Sequence, residues 1–430
     1  MTIKLSEKAQ QQIQLYDDHI VGGFTPYPVP LTKALNAKVW DIDGNEYIDF
    51  ISFFAVANMG HSHPKIVKAS VDAIQNGALI NTAFLSPSYG QLGATINKVL
   101  GYPKSVCMLS GADATDTAAK IARKWGYSKK NIPKDKAFVL TTSSCYHGIT
   151  ISTHSMASKK DESFGPYLPL VGPVSPSGIE VVFDDLESLE KALEKDHSTI
   201  AGFMVETIQG SAGIIDASEG YIKKAYELCQ KYNVLFIADE VQTGLGRAGY
   251  PLMSVALGAK PDLVCLGKAL GGAVAPISAV IGTNDVMSIV DGGDIGSTMA
   301  ANPPATEAAI AALNVLVDED ICGQSLKKGK ILRELIMKEK IPEIDHVSGS
   351  GVMAALAFKT DLIDDKFNGR RLAALCAENG LLVIPGGGGK RLRICPPATI
   401  NEEEIEKGVK ILGDCCRKLR SIEGPILGKY

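Results

Sequence analysis

The sequence predicts an α/β protein in which a large domain built on a mostly parallel sheet is joined to a smaller α+β domain at its C-terminal end. Three observations carry this. At 430 residues the chain exceeds the size at which one hydrophobic core stops growing, so a second unit is expected. Over its middle, short apolar runs alternate with amphipathic stretches, the pattern of βαβ units and of a parallel sheet covered on both faces. Beyond residue 302 the pattern becomes mixed, with VMAALAFK, GLLVIPG and RLRICPP reading as strands among helices.

The elements follow in order. The segment up to about Phe24 reads as a helix or arm, and PYPVP breaks it before the strand-like KVWDIDGNEYIDF, whose Asp43-Gly44 pair marks a hairpin turn. SVCMLSG leads into the helical DATDTAAKIARKWGYS, AFVLTTS into a loop, IAGFMVET into EGYIKKAYELCQKYN, and VLFIADEV follows. ANPPATEAAIAALNVLVDED reads as a long helix opened by prolines. The expected division is an N-terminal arm and small-domain segment over 1–50, a large domain over 51–302 and a small C-terminal domain over 303–430. The GGGG run at 386–389 reads as a flexible turn, because no helix follows it to make a phosphate site.

Composition narrows the function. The net charge of −4 comes without a basic cluster, and lysines and arginines mix with acids, so a nucleic-acid partner is not expected. The nine cysteines include adjacent Cys415 and Cys416 but show no CxxC or Cys/His ligand spacing, which argues for reduced thiols and against a metal site or a disulfide scaffold. The polar, acid-containing N-terminus resembles neither a signal nor a transit peptide, and no apolar run is long enough to span a membrane, so a cytoplasmic protein without a membrane partner is expected.

Two fragments carry the chemistry. VLFIADEVQTG places Asp239 at the end of an apolar run, and LVCLGKALGG places Lys268 after another. A lysine between a buried strand and a glycine pair, downstream of a carboxylate at a strand end, suits a Schiff base with pyridoxal 5'-phosphate (PLP), whose pyridinium nitrogen needs a carboxylate partner. In SVCMLSGADATDT a strand runs straight into a helix through Ser110, Gly111 and Ala112, so helix N-terminal amides can meet a phosphate.

These words and their order resemble the class III (subgroup II) aminotransferases of PLP-dependent transferase fold type I, most nearly the ornithine δ-aminotransferases. The resemblance covers nearly the whole chain through VWDIDGNEYIDF, NMGHSHPKIV, KIARKWGYS, FGPYLP, FMVETIQG, VLFIADEVQTGLGRAG, PDLVCLGKALGG, GSTMAANP and RICPPATI. It implies that Lys268 is the Schiff-base lysine and proton carrier, that Asp239 pairs with the pyridinium nitrogen, and that Gln242 reaches the phenolic oxygen. Val241 and Tyr146 would sandwich the ring, Ser110, Gly111 and Ala112 would cradle the phosphate, and Glu206 belongs to the same cofactor-binding set. Thr298 would come from a neighbouring subunit, which implies a homodimer with shared active sites. On their own residue types, Val241 reads equally well as core, and Thr298 as a helix cap before the prolines.

Departures from the family speak to substrate. Ornithine aminotransferases continue the Tyr146-His147-Gly148 motif with an arginine which, with an upstream tyrosine, holds ornithine's α-carboxylate; here those positions are Ile149 and Phe54. Neither side chain can bind a carboxylate, a loss of about 1.5–3 kcal/mol per charged hydrogen bond, so ornithine is expected to be a poor substrate. Many ω-aminotransferases carry a glutamate where this chain has Ser211, and that glutamate shields an arginine retained here as Arg393. Without it Arg393 is expected to stand open as a fork for the α-carboxylate of an amino or 2-oxo acid, with Phe53, Phe54 and Ile149 forming an apolar side pocket. The expected activity is amino-group transfer between an amino acid or amine and a 2-oxo acid. Class III racemases and epimerases share an open arginine and an apolar residue after the YHG motif and are the alternative, with a decarboxylase of the same fold further off. A PLP-binding protein without turnover would have lost one of the lysine, aspartate or phosphate turn.

Overall fold

The computed structural model describes residues 6–21, 27–79, 83–157 and 162–427. The N-terminal arm begins with a helix, Glu7–His19, capped by Ser6. Strands β1 (Leu31–Leu35), β2 (Lys38–Asp41) and β3 (Glu46–Asp49) form an antiparallel ribbon, and β2 and β3 flank the expected Asp43-Gly44 turn. Strand β1 lies just beyond the proline-rich segment, where the sequence reading expected only a break; Pro26 lies outside the described residues.

The large sheet collects β4 (Lys104–Met108), β5 (Phe138–Leu140), β6 (Val171–Gly172), β7 (Ile200–Glu206), β10 (Leu235–Asp239), β11 (Leu263–Leu266) and β12 (Ser278–Gly282). Strands β8 (Ile208–Gln209) and β9 (Ile215–Asp216) form a separate short pair. The spatial order is β4-β12-β11-β10-β7-β5-β6. All neighbours run parallel except that β12 is antiparallel to both β4 and β11. This reversed strand, SAVIG, was not anticipated, because no helical pattern separates it from β11.

Strand alternation divides the large-domain interior into two cores. Phe236, Ala238, Val264 and Leu266 face one layer, with Ile66, Leu92 and Leu193 from helices Pro64–Gly77, Pro87–Leu100 and Leu186–Asp196. Leu235, Ile237, Leu263 and Cys265 face the other, with Ala114, Ala118 and Ile121 from helix Gly111–Ser128. Strands buried on both faces must be apolar along their whole length, which is why β7, β10 and β11 read as continuous runs.

The C-terminal region packs a third core. It holds the antiparallel sheet β13 (Ile344–Ser350), β14 (Met353–Phe358), β17 (Arg391–Ile394) and β16 (Ile384–Gly386), with helices Ile321–Lys338, Gly369–Glu378 and Glu402–Leu419. Strand β15 (Leu381–Leu382) runs parallel to β3, which brings Ile48 and Phe50 into this core. Helix Pro303–Asp318, assigned from sequence to the C-terminal unit, instead buries Ala305, Ala308, Ala312 and Leu316 in the first large-domain core. By this packing we propose that the division falls between it and helix Ile321–Lys338. Among the described residues no helix is long and apolar enough to cross a membrane.

Within the C-terminal unit, helix Ile321–Lys338 meets the β13–β14 turn closely at Gly329, where a Cβ would stand 1.7 Å from the Gly351 carbonyl oxygen. Gly329→Ala gains about 1 kcal/mol of helix propensity but forces backbone apart, a cost of about 1–3 kcal/mol or more. The variant should therefore unfold at a lower urea midpoint than wild type, against the usual effect of Gly→Ala in a helix.

Candidate active site

The site is assembled at the carboxyl ends of β4, β7, β10 and β11, where ligands of open α/β sheets bind. Glu206 ends β7 and Asp239 ends β10, and the sheet register sets them side by side. A cavity of about 320 Å³ opens there. It is lined by Ser110, Gly111, Ala112, Tyr146, Glu206, Asp239, Val241, Gln242 and Lys268, together with Ile149.

Each wall has a local cause. Ser110 caps helix Gly111–Ser128: its hydroxyl accepts from the Asp113 amide at 3.2 Å, and the Asp113 carboxylate accepts from the Ser110 amide at 2.8 Å. The Gly111 and Ala112 amides stay at the positive end of an 18-residue helix. Gly111 must be glycine because a Cβ would meet Val241 at 2.8 Å. Gly210 is constrained likewise, since a Cβ there would stand 1.5 Å from the Gln242 carboxamide oxygen.

Lys268 follows Gly267 at the end of β11 with φ of 41°, a left-handed conformation that costs about 1–3 kcal/mol and is typical of functional positions. Its ammonium makes no hydrogen bond or ion pair among the described residues. Burial pushes its pKa below the ordinary lysine value, partly offset by Asp239 and Glu206. Burial likewise pushes the Glu206 carboxyl up to about 7, reinforced by neighbouring Asp239, although the Tyr146 and Gly210 amides donate to it at 3.0 and 3.1 Å.

The sequence reading missed a role for His147. Its Nδ1 lies 2.7 Å from Asp239 Oδ2, both side chains are buried, and its carbonyl accepts from the Thr115 hydroxyl at 2.6 Å. Burial disfavours the imidazolium, but Cys145 and the hydrogen bond to Asp239 outweigh it and hold the His147 pKa well above its ordinary value. The other Asp239 oxygen accepts from the Val241 amide at 3.0 Å, so the carboxylate is held from two sides. The adjacency of Tyr146 and His147 in the YHG motif was the available signal; nothing in the sequence tied that loop to β10.

Arg393, Phe53, Phe54, Ser211 and Thr298 do not line this cavity. Arg393, on β17, is within electrostatic reach of Lys268 and Tyr146, and its guanidinium carbon sits 6.0 Å from the centre of the Phe54 ring. Its Nε is buried without a hydrogen-bond partner, and no carboxylate pairs with it among the described residues. Ser211 is exposed, as are Phe53 and Ile149. Phe53 and Phe54 belong to a left-handed turn, Ser52–Ala55, with φ between 50° and 64°. Thr298 is exposed and does not line the cavity, and helix Pro303–Asp318 is capped by Asn302, which removes the capping role considered for Thr298. Val241 is half-buried and lines the cavity, so it is more than core filling.

A partnerless buried lysine, a carboxylate at a strand end, and a helix N-terminus with small residues fit the amine-reactive carbonyl, ring nitrogen and phosphate of PLP. Residues 22–416 match the family described as aminotransferase class-III. The chain belongs to the class III aminotransferases. This aminotransferase is 37% identical to an ornithine aminotransferase of Schizosaccharomyces pombe over 420 residues, 96% of this chain and 95% of the relative. Its fold matches the solved ornithine aminotransferase of Toxoplasma gondii with a TM-score of 0.89 and 34% identity, covering 96% and 95% of the two chains. It also matches the acetylornithine aminotransferase of Elizabethkingia anophelis, with a TM-score of 0.83, 35% identity and coverage of 95% and 99%. The aminotransferase is an enzyme whose cofactor is PLP.

Between pH 4.5 and 7 the folded protein retains a proton on Glu206 that the unfolded chain has released, so this group lowers stability as pH rises. Urea unfolding of the apoprotein should show Glu206→Gln gaining on wild type by about 1–3 kcal/mol between pH 5 and 8, on top of any constant loss from the missing acceptor.

Proposed function

We propose that this enzyme moves an amino group between an α-amino acid, or an amine, and a 2-oxo acid, with Arg393 receiving the α-carboxylate, and that ornithine is a poor δ-amino donor. The relatives named for ornithine would suggest otherwise, but the observation that carries the proposal is local. Arg393 has a buried, unpartnered Nε, an aromatic face beside it and no paired carboxylate among the described residues. A buried guanidinium left unpaired is costly, and a bidentate carboxylate supplies the missing partner. Phe54 and Ile149 offer no anchor for a second carboxylate, whereas an apolar side chain could rest against them.

The roles follow from placement. PLP, when bound, supplies an electron sink at the reacting carbon of the substrate. Asp239, held by the Val241 amide and His147, stands as the anionic partner for a protonated ring nitrogen. Lys268, with its ammonium pKa lowered by burial, releases a proton more readily than an ordinary lysine and so can carry it at the α-carbon. The Gly111 and Ala112 amides would hold the phosphate, Tyr146 and Val241 would flank the ring, and Gln242 would serve its phenolic oxygen. We infer further that Thr298 serves a second copy of the chain, so the working form is a homodimer of cytoplasmic location. Its exposed position outside its own chain's cavity supports that reading.

Four measurements test these readings. With PLP bound, kcat/KM for ornithine at its δ-amine should be at least about a hundredfold below that for an α-amino acid with an aliphatic side chain, the factor expected from about 3 kcal/mol of lost carboxylate contacts. Product that depends on an added 2-oxo acid indicates transfer; deuterium at Cα with loss of chirality and no acceptor would instead establish racemisation. Light scattering should give twice the 45.6 kDa of one chain, and Thr298→Ala should speed PLP loss without splitting the dimer.

A further inference from the structure

The largest wholly buried side chain outside the cavity is that of Arg247, on the loop that leaves β10 and five residues beyond Gln242. Its Nε donates to Asn58 Oδ1 at 2.8 Å, and its Nη1 donates to the carbonyls of Cys395 and Pro396 at 3.2 and 2.5 Å. Its own carbonyl accepts from Ser325 Oγ at 3.0 Å, and that hydroxyl accepts from the Val352 amide at 3.1 Å. Asn58 returns to the same loop by donating to the Leu245 carbonyl at 2.8 Å, while its carbonyl accepts from the Ala398 amide at 2.9 Å. Arg247 pairs with no carboxylate among the described residues, and its Nη2 has no partner.

A buried charge without a counter-ion is a poor way to gain stability, and an apolar side chain of similar volume would fill the space without that penalty. What an apolar side chain cannot do is reach two carbonyls on one segment and an amide on another with a rigid fork. Both segments bear on the same subsite. Cys395 and Pro396 directly follow β17, so their carbonyls set the position of Arg393 two residues back along extended backbone. Asn58 stands three residues beyond the left-handed turn Ser52–Ala55 that carries Phe54 beside the Arg393 guanidinium. The loop holding Arg247 begins with Asp239, Val241 and Gln242, which line the cofactor cavity.

We propose that Arg247 is a positioning residue that couples the two halves of the site: it ties the strand end bearing Arg393 and the turn bearing Phe54 to the loop that lines the cofactor cavity. The proposal rests on the reading of Arg393 as the carboxylate anchor. Replacing Arg247 should loosen carboxylate binding selectively and leave the cofactor seated.

The test uses the PLP-loaded enzyme, with isovalerate as an unreactive aliphatic carboxylate whose binding is read from the cofactor's visible absorbance. Arg247→Met should raise the isovalerate Kd, and the KM for an aliphatic α-amino acid, at least tenfold, with kcat and the half-time of PLP release within threefold of wild type. Arg247→Lys, which keeps the charge and some donors, should fall between. An unchanged Kd, or PLP release accelerated as much as carboxylate binding is weakened, overturns the proposal. If Arg247→Met does not fold, Asn58→Ala removes only one partner of the fork and should shift the isovalerate Kd at least threefold with PLP release unchanged; no shift overturns the proposal equally. Arg393→Lys separates the two readings. If it leaves the Kd unchanged, the anchor assignment itself falls, whereas an effect at Arg393 with none at Arg247 overturns only the coupling.

Discussion

The constraint on which the site depends is the side-by-side arrival of two carboxylates, Glu206 and Asp239, at the ends of neighbouring buried strands. Two such groups cannot be desolvated together without compensation. Asp239 receives it from His147 and the Val241 amide, whereas for Glu206 burial and the Asp239 charge outweigh the nearby charge of His147 and two backbone amides, and it holds its proton up to about neutral pH. The same desolvation pushes the Lys268 pKa down and leaves that side chain without a partner of its own. One register between β7 and β10 therefore sets two carboxylates beside the buried Lys268.

Two strained segments lie close to the site. Lys268 is held left-handed at the end of β11, and Ser52 through Ala55 form a complete left-handed turn of non-glycine residues, each of which costs about 1–2 kcal/mol. The turn survives because its ends are held: Asp49 accepts from the Ile51 and Ser52 amides at 2.7 and 3.0 Å and contacts His61 at 2.7 Å, and Asn58 is held by Arg247. Strain of this kind persists only where the surroundings over-determine it, and here it sets Phe54 against Arg393.

Much of the large domain was legible because strands buried on both faces need unbroken apolar runs, and IAGFMVE, LFIAD and LVCL are such runs. Their polar terminators, Glu206, Asp239 and Lys268, were legible for the same reason, since a charge that ends such a run must face a cavity. The sequence reading grouped helix Pro303–Asp318 with the C-terminal unit because its prolines signal where a helix starts and say nothing about which core its alanines fill; they pack in the first large-domain core. Strand β12 was missed because no helical pattern separates it from β11, and its reversed direction shows only in its pairing with β11 and β4 on either side.

The sequence by itself determined the α/β class, the order of phosphate turn, carboxylate strand and lysine, and the family, because period, cap and strand-end chemistry are local properties of the chain. Only the tertiary structure decided that His147 braces Asp239, that Arg247 links β17 to the loop after β10, and that Arg393 faces Phe54 with no acid beside it. Those pairings join residues about 90 to 340 positions apart, and contacts at such separations are set by how layers stack and loops cross, which no local pattern encodes.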